Sequence, residues 1–275
     1  MSISPTILNK DYNSSTLFTE RFQAESILIN SPNAINMGLL LKNHLINLLS
    51  LPNDINIPDM ENFLTEEQKV YDPIFGVNKI TELLYDTPKE ITECYFKLLK
   101  EDIRPSVGID FYYQVQPTIR LQTPHETAKK FYPLFHSDIQ FGHPPYEFNV
   151  WLPLSEPSPI EGHGFVLSAF EESHSLFDNY GYDILKMNKD SKSLSGKLYE
   201  SAIAQNMPLG EVLLFDSRKF HSTMPLNQHL RASLDVRIIP KIALETVDYF
   251  YTGLGRKKAR FEPGQAYSSN SIDES

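Results

Sequence analysis

The stretch Glu147-Phe148-Asn149-Val150-Trp151-Leu152 carries the pattern that decides the fold class. Its odd positions share one face of an extended chain and its even positions share the other, which is the period of a β-strand. Similar short runs, separated by Pro, Gly and Asn, occur at residues 108–116, 118–122, 134–141, 164–170, 211–215 and 230–239. Many short strands punctuated by turns predict an antiparallel sandwich, barrel or jelly roll, so we expect a mainly β protein.

Helical signals precede this β-rich region. Ser31-Pro32 and Thr87-Pro88 each place a capping residue before a proline suited to the first helical position. Apolar residues at helical spacing follow both signals, and we interpret them as core packing. We expect a mainly helical N-terminal elaboration at 1–105, a β-rich core at 106–252 and a polar C-terminal tail at 253–275 that frays at its end.

Composition limits the class of protein. The 275 residues are 41% hydrophobic and 22% charged, which are globular values and allow one substantial core. The single cysteine, Cys94, excludes an intramolecular disulfide framework. The sequence shows no secretory signal and no apolar run near the roughly 20 residues that span a bilayer, so we expect a cytoplasmic protein without a membrane partner. The net charge of −10 argues against a nucleic-acid partner.

The tripeptide His136-Ser137-Asp138 indicates a metal site only in combination with residues elsewhere in the chain. Eight histidines and 35 acidic residues predict about one His-x-acid tripeptide by chance, and the chain contains one. Residues two apart on a strand project to the same side, so His136 and Asp138 could share a metal ion. A further ligand, His221, follows the predicted strand 211–215, and Arg231-Ala232-Ser233 begins another strand ten residues later.

This order of residues has a chemical reason. Two histidines and a carboxylate occupy one face of an octahedral Fe(II) and leave three positions for the keto acid of 2-oxoglutarate and for oxygen. The far carboxylate of 2-oxoglutarate then needs a fixed counter-charge, which an arginine beside a hydroxyl supplies. We therefore expect His136, Asp138 and His221 to be the catalytic metal ligands, and Arg231 with Ser233 to bind 2-oxoglutarate.

His136-Ser137-Asp138, His221 and Arg231-Ala232-Ser233 together resemble the signature of the Fe(II)/2-oxoglutarate-dependent dioxygenase superfamily. The likeness spans about residues 117–240, and it implies that the core is a double-stranded β-helix, a distorted jelly roll. Phe141-Gly142-His143-Pro144-Pro145 and the run 149–154 also resemble a bacterial subgroup of specialised-metabolite or sugar-modifying hydroxylases. The family resemblance implies oxidation of a small molecule with Fe(II), 2-oxoglutarate and O2.

Other polar residues of the β-rich region are weaker candidates. Asn149 could lie near the metal or 2-oxoglutarate, although a sheet-filling role is the alternative, and Gln122 could donate to 2-oxoglutarate or to the substrate. Arg120 shares a strand face with Gln122 and could meet an acidic substrate. We expect His143 to pack or cap its loop rather than to bind metal. Lesser candidates near a substrate or metal are His163, His174 and Glu172-Ser173, and we interpret Trp151 as a core residue.

The function that these observations favour is hydroxylation, or desaturation or cyclisation, of a biosynthetic intermediate, an amino acid or a sugar. Presence of the carboxylate of Asp138 supports this reaction type. The alternatives are a metal-binding jelly-roll protein of cupin type, acting as an isomerase or non-redox binder, and a catalytically silent binding module. A cupin-type protein would bind metal yet leave Arg231 without a task, so turnover of 2-oxoglutarate separates it from an oxygenase. The substrate, the position oxidised and the oligomeric state are not specified by the sequence.

Overall fold

The computed structural model describes residues 17–72, 77–124, 134–141, 143, 146–156, 164–223, 229–246, 264 and 266–275. Two antiparallel sheets form the centre of this part of the chain, and helices cover one of them. None of the described helices is both long enough and apolar enough to pass through a membrane.

Helices precede the sheets, lie between their strands and follow them. The α-helices are α1 Leu17–Phe22, α2 Pro32–Leu49, α3 Glu66–Lys69, α4 Lys79–Glu82, α5 Lys89–Lys97, α6 Arg104–Val107, α7 Phe170–Asn179, α8 Ile184–Lys189, α9 Ser191–Ser201 and α10 Lys241–Thr246. A π-helical turn, Leu98–Ile103, joins α5 to α6. Three 3-10 helices lie at Ile57–Phe63, Asp138–Phe141 and Ile272–Glu274.

Eleven strands lie in the described part of the chain. They are β1 Ser26–Asn30, β2 Tyr71–Asp72, β3 Val77–Asn78, β4 Phe111–Tyr113, β5 Ile119–Gln122, β6 Phe148–Pro153, β7 Phe165–Leu167, β8 Ile203–Ala204, β9 Glu211–Asp216, β10 His221–Thr223 and β11 Arg231–Pro240. The major sheet has the order β1-β9-β6-β11-β4, with β5 also paired to β11. The minor sheet has the order β10-β7-β8, and β2 pairs with β3.

The major sheet is buried on both faces, and the two faces differ in chemistry. The even positions of β6, β9 and β11, such as Val150, Leu214 and Val236, belong to one hydrophobic core with α2 and α5. Odd positions such as Asn149 and Arg231 lie on the other face, because side chains alternate along a strand. That face meets the minor sheet where the ring of Trp151 stacks on Phe165, 4.5 Å between centroids.

Helix α2 begins where the sequence predicts, because Ser31 caps it. The Ser31 hydroxyl accepts a hydrogen bond from the Ala34 N–H, and Pro32 occupies the first helical position. The second predicted helix forms, but its start differs from the prediction: α5 begins at Lys89, Pro88 takes the N-cap position, and the Thr87 hydroxyl donates to the Leu84 carbonyl instead of capping the helix.

Three expectations about secondary structure need correction. Helix accounts for 46% of the described residues and strand for 23%, so the protein is mixed rather than mainly β. Helices α7 to α9 interrupt the region predicted to be β-rich, and strand β1 lies inside the region predicted to be helical. The predicted strand 134–141 is wrong, because only His136 pairs with a strand and a 3-10 helix follows at once.

The final described residues pack against the chain instead of fraying. Ile272 is fully buried, and Asp273 accepts two hydrogen bonds of 2.7 Å from Arg104. Tyr267 pairs with Gln114 and donates a hydrogen bond to Glu147, close to the inner face of the major sheet. Residues 253–263, the first part of the predicted tail, lie outside the described residues.

Two helical glycines allow a matched test of how closely α2 approaches the sheet. A Cβ at Gly38 would lie 3.0 Å from the backbone oxygen of Leu154 and 2.9 Å from a methyl group of Leu209, whereas a Cβ at Gly196 in α9 would meet no described atom within 4 Å. We expect Gly196→Ala to raise the free energy of unfolding by about 0.5–1 kcal/mol, through helix propensity alone. Gly38→Ala should instead lower it by about 1–3 kcal/mol, because a backbone carbonyl cannot move aside cheaply. Urea unfolding measures both, and equal stabilisation by the two substitutions would show that α2 is not tightly seated.

Candidate metal centre

Backbone pairing brings together two histidines that are distant in sequence. The His136 N–H donates to the His221 carbonyl at 3.1 Å, and the His221 N–H donates to the His136 carbonyl at 2.9 Å. His221 is the first residue of β10, reached from β9 by a tight turn as the sequence predicts. Asp138 begins the 3-10 helix after His136, so it reaches the same place by a helical turn and not by strand alternation.

The three side chains converge on one point. Their donor atoms all lie within 4.8 Å of one another, and Asp138 Oδ1 is 4.0 Å from His136 Nε2 and 3.7 Å from His221 Nε2. Two imidazoles and one carboxylate are a donor set suited to Fe(II). The predicted triad is thus assembled, and its residues fit an iron site.

Both imidazoles are held in the orientation that a metal needs. His136 Nδ1 lies 2.8 Å from the Leu134 carbonyl, and His221 Nδ1 lies 3.2 Å from the Lys219 carbonyl. Since a carbonyl only accepts, each Nδ1 must carry the proton. In the neutral rings the lone pair is then on Nε2, which faces Asp138 in both cases.

Burial sets the charge of the donors. Burial, helped by the neighbouring His221, lowers the pKa of His136 to about 3, so this ring is neutral and able to bind metal at physiological pH. Burial alone would raise the pKa of Asp138, but the charge and hydrogen bond of Arg237, together with the nearby His221 and His143, outweigh it and hold that pKa well below its ordinary value. The site therefore presents a neutral nitrogen from His136 and an anionic oxygen from Asp138.

Arg237 fixes the carboxylate of the triad. Its Nε donates to Asp138 Oδ2 at 2.9 Å, while the other oxygen, Oδ1, faces the two histidines. Its Nη2 also donates to Asp235 at 3.3 Å. Because Oδ2 is engaged by Arg237, Asp138 offers a single oxygen to the shared point.

The residues predicted to bind 2-oxoglutarate line the same interior. Arg231, 4% exposed, donates to the Thr223 hydroxyl at 3.2 Å and lies over the ring of Trp151. Gln122 is its partner across the β5–β11 ladder, and Ser233 is the next residue along the same face of β11. Asn149 lies on β6, the strand next to β11 in the same sheet. It is fully buried, and neither of its amide atoms has a hydrogen-bond partner among the described residues.

The weaker candidates fall in different places. His143 is not a triad member, since its Nδ1 lies 2.9 Å from a Glu147 oxygen, in agreement with a packing role. His174 lies on α7 beside Asp178, and Ser173 is buried where its hydroxyl accepts from the Phe220 N–H. Ser173 thus supports the backbone next to His221. His163 lies outside the described residues.

Sequence reasoning missed Arg237 and Thr223. Both follow a predicted residue at an even interval on the same strand, Arg237 six residues after Arg231 and Thr223 two residues after His221. Strand periodicity therefore contained the signal for both.

The pairing of Arg237 with two carboxylates predicts a large effect on stability. Arg237→Gln leaves Asp138 without its paired arginine and Asp235 with only the more distant Arg120, so we expect metal-free protein to lose about 3–5 kcal/mol of unfolding free energy at neutral pH. Arg104→Gln, which breaks a more exposed pair with Asp273, should cost much less. Urea unfolding after chelation of metals measures both, and equal losses would contradict the role assigned to Arg237.

The same variant has a defined pH dependence. The folded-state pKa of Asp138 lies below its ordinary value of 3.8, so the pair contributes fully above that pH and its contribution is lost as the pH falls further. The difference in stability between wild type and Arg237→Gln should therefore be largest at neutral pH and shrink below pH 3.8. A difference that grows on acidification would contradict this assignment.

Comparison with known proteins gives a fold but no sequence relative. The sequence matches no known protein family and no curated protein. Among solved structures, the non-heme alpha ketoglutarate dependent carbocyclase SnoK from nogalamycin biosynthesis matches with a TM-score of 0.50 and 12% identity, over 93% of this chain and 96% of that one. EctD from S. alaskensis with bound Fe has a TM-score of 0.49 and 16% identity, over 86% of this chain and 82% of its own. The structural match to the carbocyclase confirms, at the level of fold, the resemblance predicted from His136, Asp138 and His221: this chain has the fold of the Fe(II)- and 2-oxoglutarate-dependent oxygenases.

Proposed function

We propose that this protein is an Fe(II)- and 2-oxoglutarate-dependent oxygenase acting on a small molecule. The observation that carries the proposal is the convergence of His136, Asp138 and His221 inside this fold, with each donor atom already oriented. Two histidines and one carboxylate leave part of the coordination sphere open, which an oxygenase requires and a closed structural site lacks.

Iron would be held by Nε2 of His136, Oδ1 of Asp138 and Nε2 of His221. Arg237 holds the second oxygen of Asp138, so the carboxylate would bind through one atom and leave the neighbouring position free. When bound, iron and 2-oxoglutarate supply oxidative decarboxylation of the keto acid by O2, to succinate and CO2, coupled to oxidation of a C–H bond of the substrate.

Arg231 is proposed to bind the far carboxylate of 2-oxoglutarate. It is buried on the inner face of β11, and Thr223 and Trp151 fix the plane of its guanidinium. A planar guanidinium matches a carboxylate with two parallel hydrogen bonds. Ser233, on the same face, would contribute a hydroxyl near that end of the co-substrate.

The two amides of the predicted site fit a polar ligand. Leaving a buried polar atom without a partner costs about 1–3 kcal/mol. Both amide atoms of Asn149 and the Oε1 of Gln122 are in that situation among the described residues. We propose that Asn149 donates its N–H to the keto acid or its carboxylate, and that Gln122 hydrogen-bonds along the other edge.

Aromatic residues on the inner face would keep water away from the reacting centre. Phe215 packs edge-on against His221 with ring centroids 5.3 Å apart, and Phe165 lies between Phe215 and Trp151. Exclusion of water by these rings would strengthen the pairing of Arg231 with an anion, because charges interact more strongly at low dielectric.

The finer activity is hydroxylation, desaturation or cyclisation of a biosynthetic intermediate, an amino acid or a sugar. The matched carbocyclase, from nogalamycin biosynthesis, supports a small-molecule substrate. The acidic net charge supports the absence of a nucleic-acid partner. A cupin-type isomerase or non-redox binder is the alternative, and it would not consume 2-oxoglutarate.

Removal of any triad ligand should abolish turnover. We expect His136→Ala, Asp138→Ala and His221→Ala each to lose both tight Fe(II) binding and succinate formation, because two remaining ligands hold the metal poorly. His174→Ala, a histidine on α7, is the matched control and should keep both. Iron retained after gel filtration and succinate produced from 2-oxoglutarate are the measurements. Full succinate production by any triad variant would refute the proposed function.

Arg231 should determine the affinity for 2-oxoglutarate but not for iron. Arg231→Lys keeps the charge and loses the planar fork, so we expect at least about a tenfold rise in the apparent dissociation constant. Arg231→Ala should cost about 2–5 kcal/mol of co-substrate binding. Anaerobic titration of the visible charge-transfer band of the chelated keto acid measures this binding. If both variants bind 2-oxoglutarate as tightly as wild type, Arg231 is not its anchor.

A further inference from the structure

A third arginine, Arg120, lies on the same inner face of the major sheet as Arg231 and Arg237, here called the interior wall, but it is more exposed than they are. It lies on β5 opposite Ser233, on the same strand face as Gln122. Arg231 and Arg237 are 4% and 5% exposed, whereas the side chain of Arg120 is 33% exposed. Arg120 is therefore the most accessible of the three arginines on this wall.

The charge of Arg120 is only partly compensated. Its nearest carboxylate oxygen in the described part of the chain is Oδ2 of Asp235, 3.8 Å from Nε, which is too long for a hydrogen bond. That oxygen already accepts from Arg237 at 3.3 Å. The Nε of Arg120 is buried and has no hydrogen-bond partner among the described residues.

Arg120 is linked to the metal ligands by a short chain of contacts. Its Nε lies 3.8 Å from Asp235 Oδ2, which accepts from Arg237, and Arg237 donates to Asp138. On His136, the ring of Phe141 packs edge-on at 4.9 Å between centroids and is itself 46% exposed. The triad is thus flanked by a partly exposed guanidinium and by an exposed apolar ring, in a chain whose net charge is −10.

We propose that Arg120 binds the carboxylate of the primary substrate, so that the substrate is a small organic monoanion with an apolar body lying toward Phe141. This inference rests on the proposed function, since it places the anion beside an iron centre. A guanidinium binds a carboxylate through two parallel hydrogen bonds, which would fix the substrate's orientation as well as its affinity.

The charges of the wall favour a monoanion over a phosphate. Arg237 is committed to Asp138 and Asp235, and Arg231 lies deeper in the interior beside Thr223. Among the described residues of this wall, one partly compensated positive charge remains, that of Arg120, and it matches one negative charge. Arg120 would thus bind the substrate, and the more deeply buried Arg231 would bind 2-oxoglutarate.

The test compares carboxylates with their neutral isosteres. Wild-type protein is loaded anaerobically with Fe(II) and 2-oxoglutarate, then titrated with benzoate, 3-phenylpropionate, benzamide and 3-phenylpropionamide. Perturbation of the charge-transfer band and the shift in Tm report binding. We expect at least one carboxylate to bind about tenfold more tightly than its amide, as a charge-assisted pair predicts.

Variants assign that preference to Arg120. Arg120→Gln should reduce the preference to less than about twofold, and Arg120→Lys should retain only part of it, since the charge remains but the fork is lost. Both should keep the charge-transfer band, whereas Arg231→Gln should lose 2-oxoglutarate affinity instead. Arg104→Gln, a surface arginine paired with Asp273, is the control and should leave the preference unchanged.

The failure of this inference is distinguishable from failure of the proposed function. If wild type prefers no carboxylate over its amide, or if the preference survives in Arg120→Gln, Arg120 is not the substrate anchor. If Arg120→Gln does not fold, an undiminished preference in Arg120→Lys has the same meaning. Absence of the charge-transfer band in wild type would instead refute 2-oxoglutarate chelation, and the Tm shifts would still report whether Arg120 selects carboxylates.

Discussion

The two backbone hydrogen bonds between His136 and His221 set the geometry on which the site depends. They hold the two chain segments side by side although 85 residues separate them in sequence. Each imidazole then needs only its own local carbonyl, two residues earlier, to turn Nε2 toward the common point. The pairing is a property of the backbone, so the ligand positions are fixed by the fold before any metal binds.

The charged side chains buried on the interior wall compensate one another. Asp138 and Asp235 lie on one side of Arg237, and burying any of the three alone would be costly. As a group they neutralise one another in part, and a divalent cation would add charge to a cluster that carries a net negative balance. The same wall continues to Arg231, whose buried guanidinium is steadied by Thr223 and Trp151. Charge along β11 therefore alternates, with Asp235 between Arg231 and Arg237.

Residue identity and spacing were enough to predict the triad, because few side chains bind iron and their chemistry does not depend on the detail of the backbone. The prediction that strand alternation brings His136 and Asp138 to the same side is nevertheless wrong, since Asp138 lies in a 3-10 helix. A single paired residue followed by a 3-10 turn leaves no periodic signal in sequence. The predicted start of α2 is confirmed, because a capping serine and an N-terminal proline act locally, whereas α5 starts one residue later than predicted and has no side-chain cap.

The features that sequence could not reveal depend on long-range contacts. Strand β1, Ser-Ile-Leu-Ile-Asn, is too short to be recognised without its partner β9, which lies far along the chain. The burial of Ile272 depends likewise on a surface assembled from other segments. The inward orientation of Arg237 could have been predicted, because it continues the period-two series that begins at Arg231. Its contact with Asp138 could not, since that depends on the fold.

The two-faced burial of β11 has a consequence for how such a chain can change over evolutionary time. Deleting one residue from the middle of this strand would exchange its faces beyond the deletion, so that Arg237 would enter the apolar core that packs against α2, while Val236 and Ile238 would turn to the opposite face. No repacking of side chains could repair that exchange. Length changes must therefore accumulate in the loops on either side, and new substrate preferences must arise by substitution on the inward-facing positions, one residue in two.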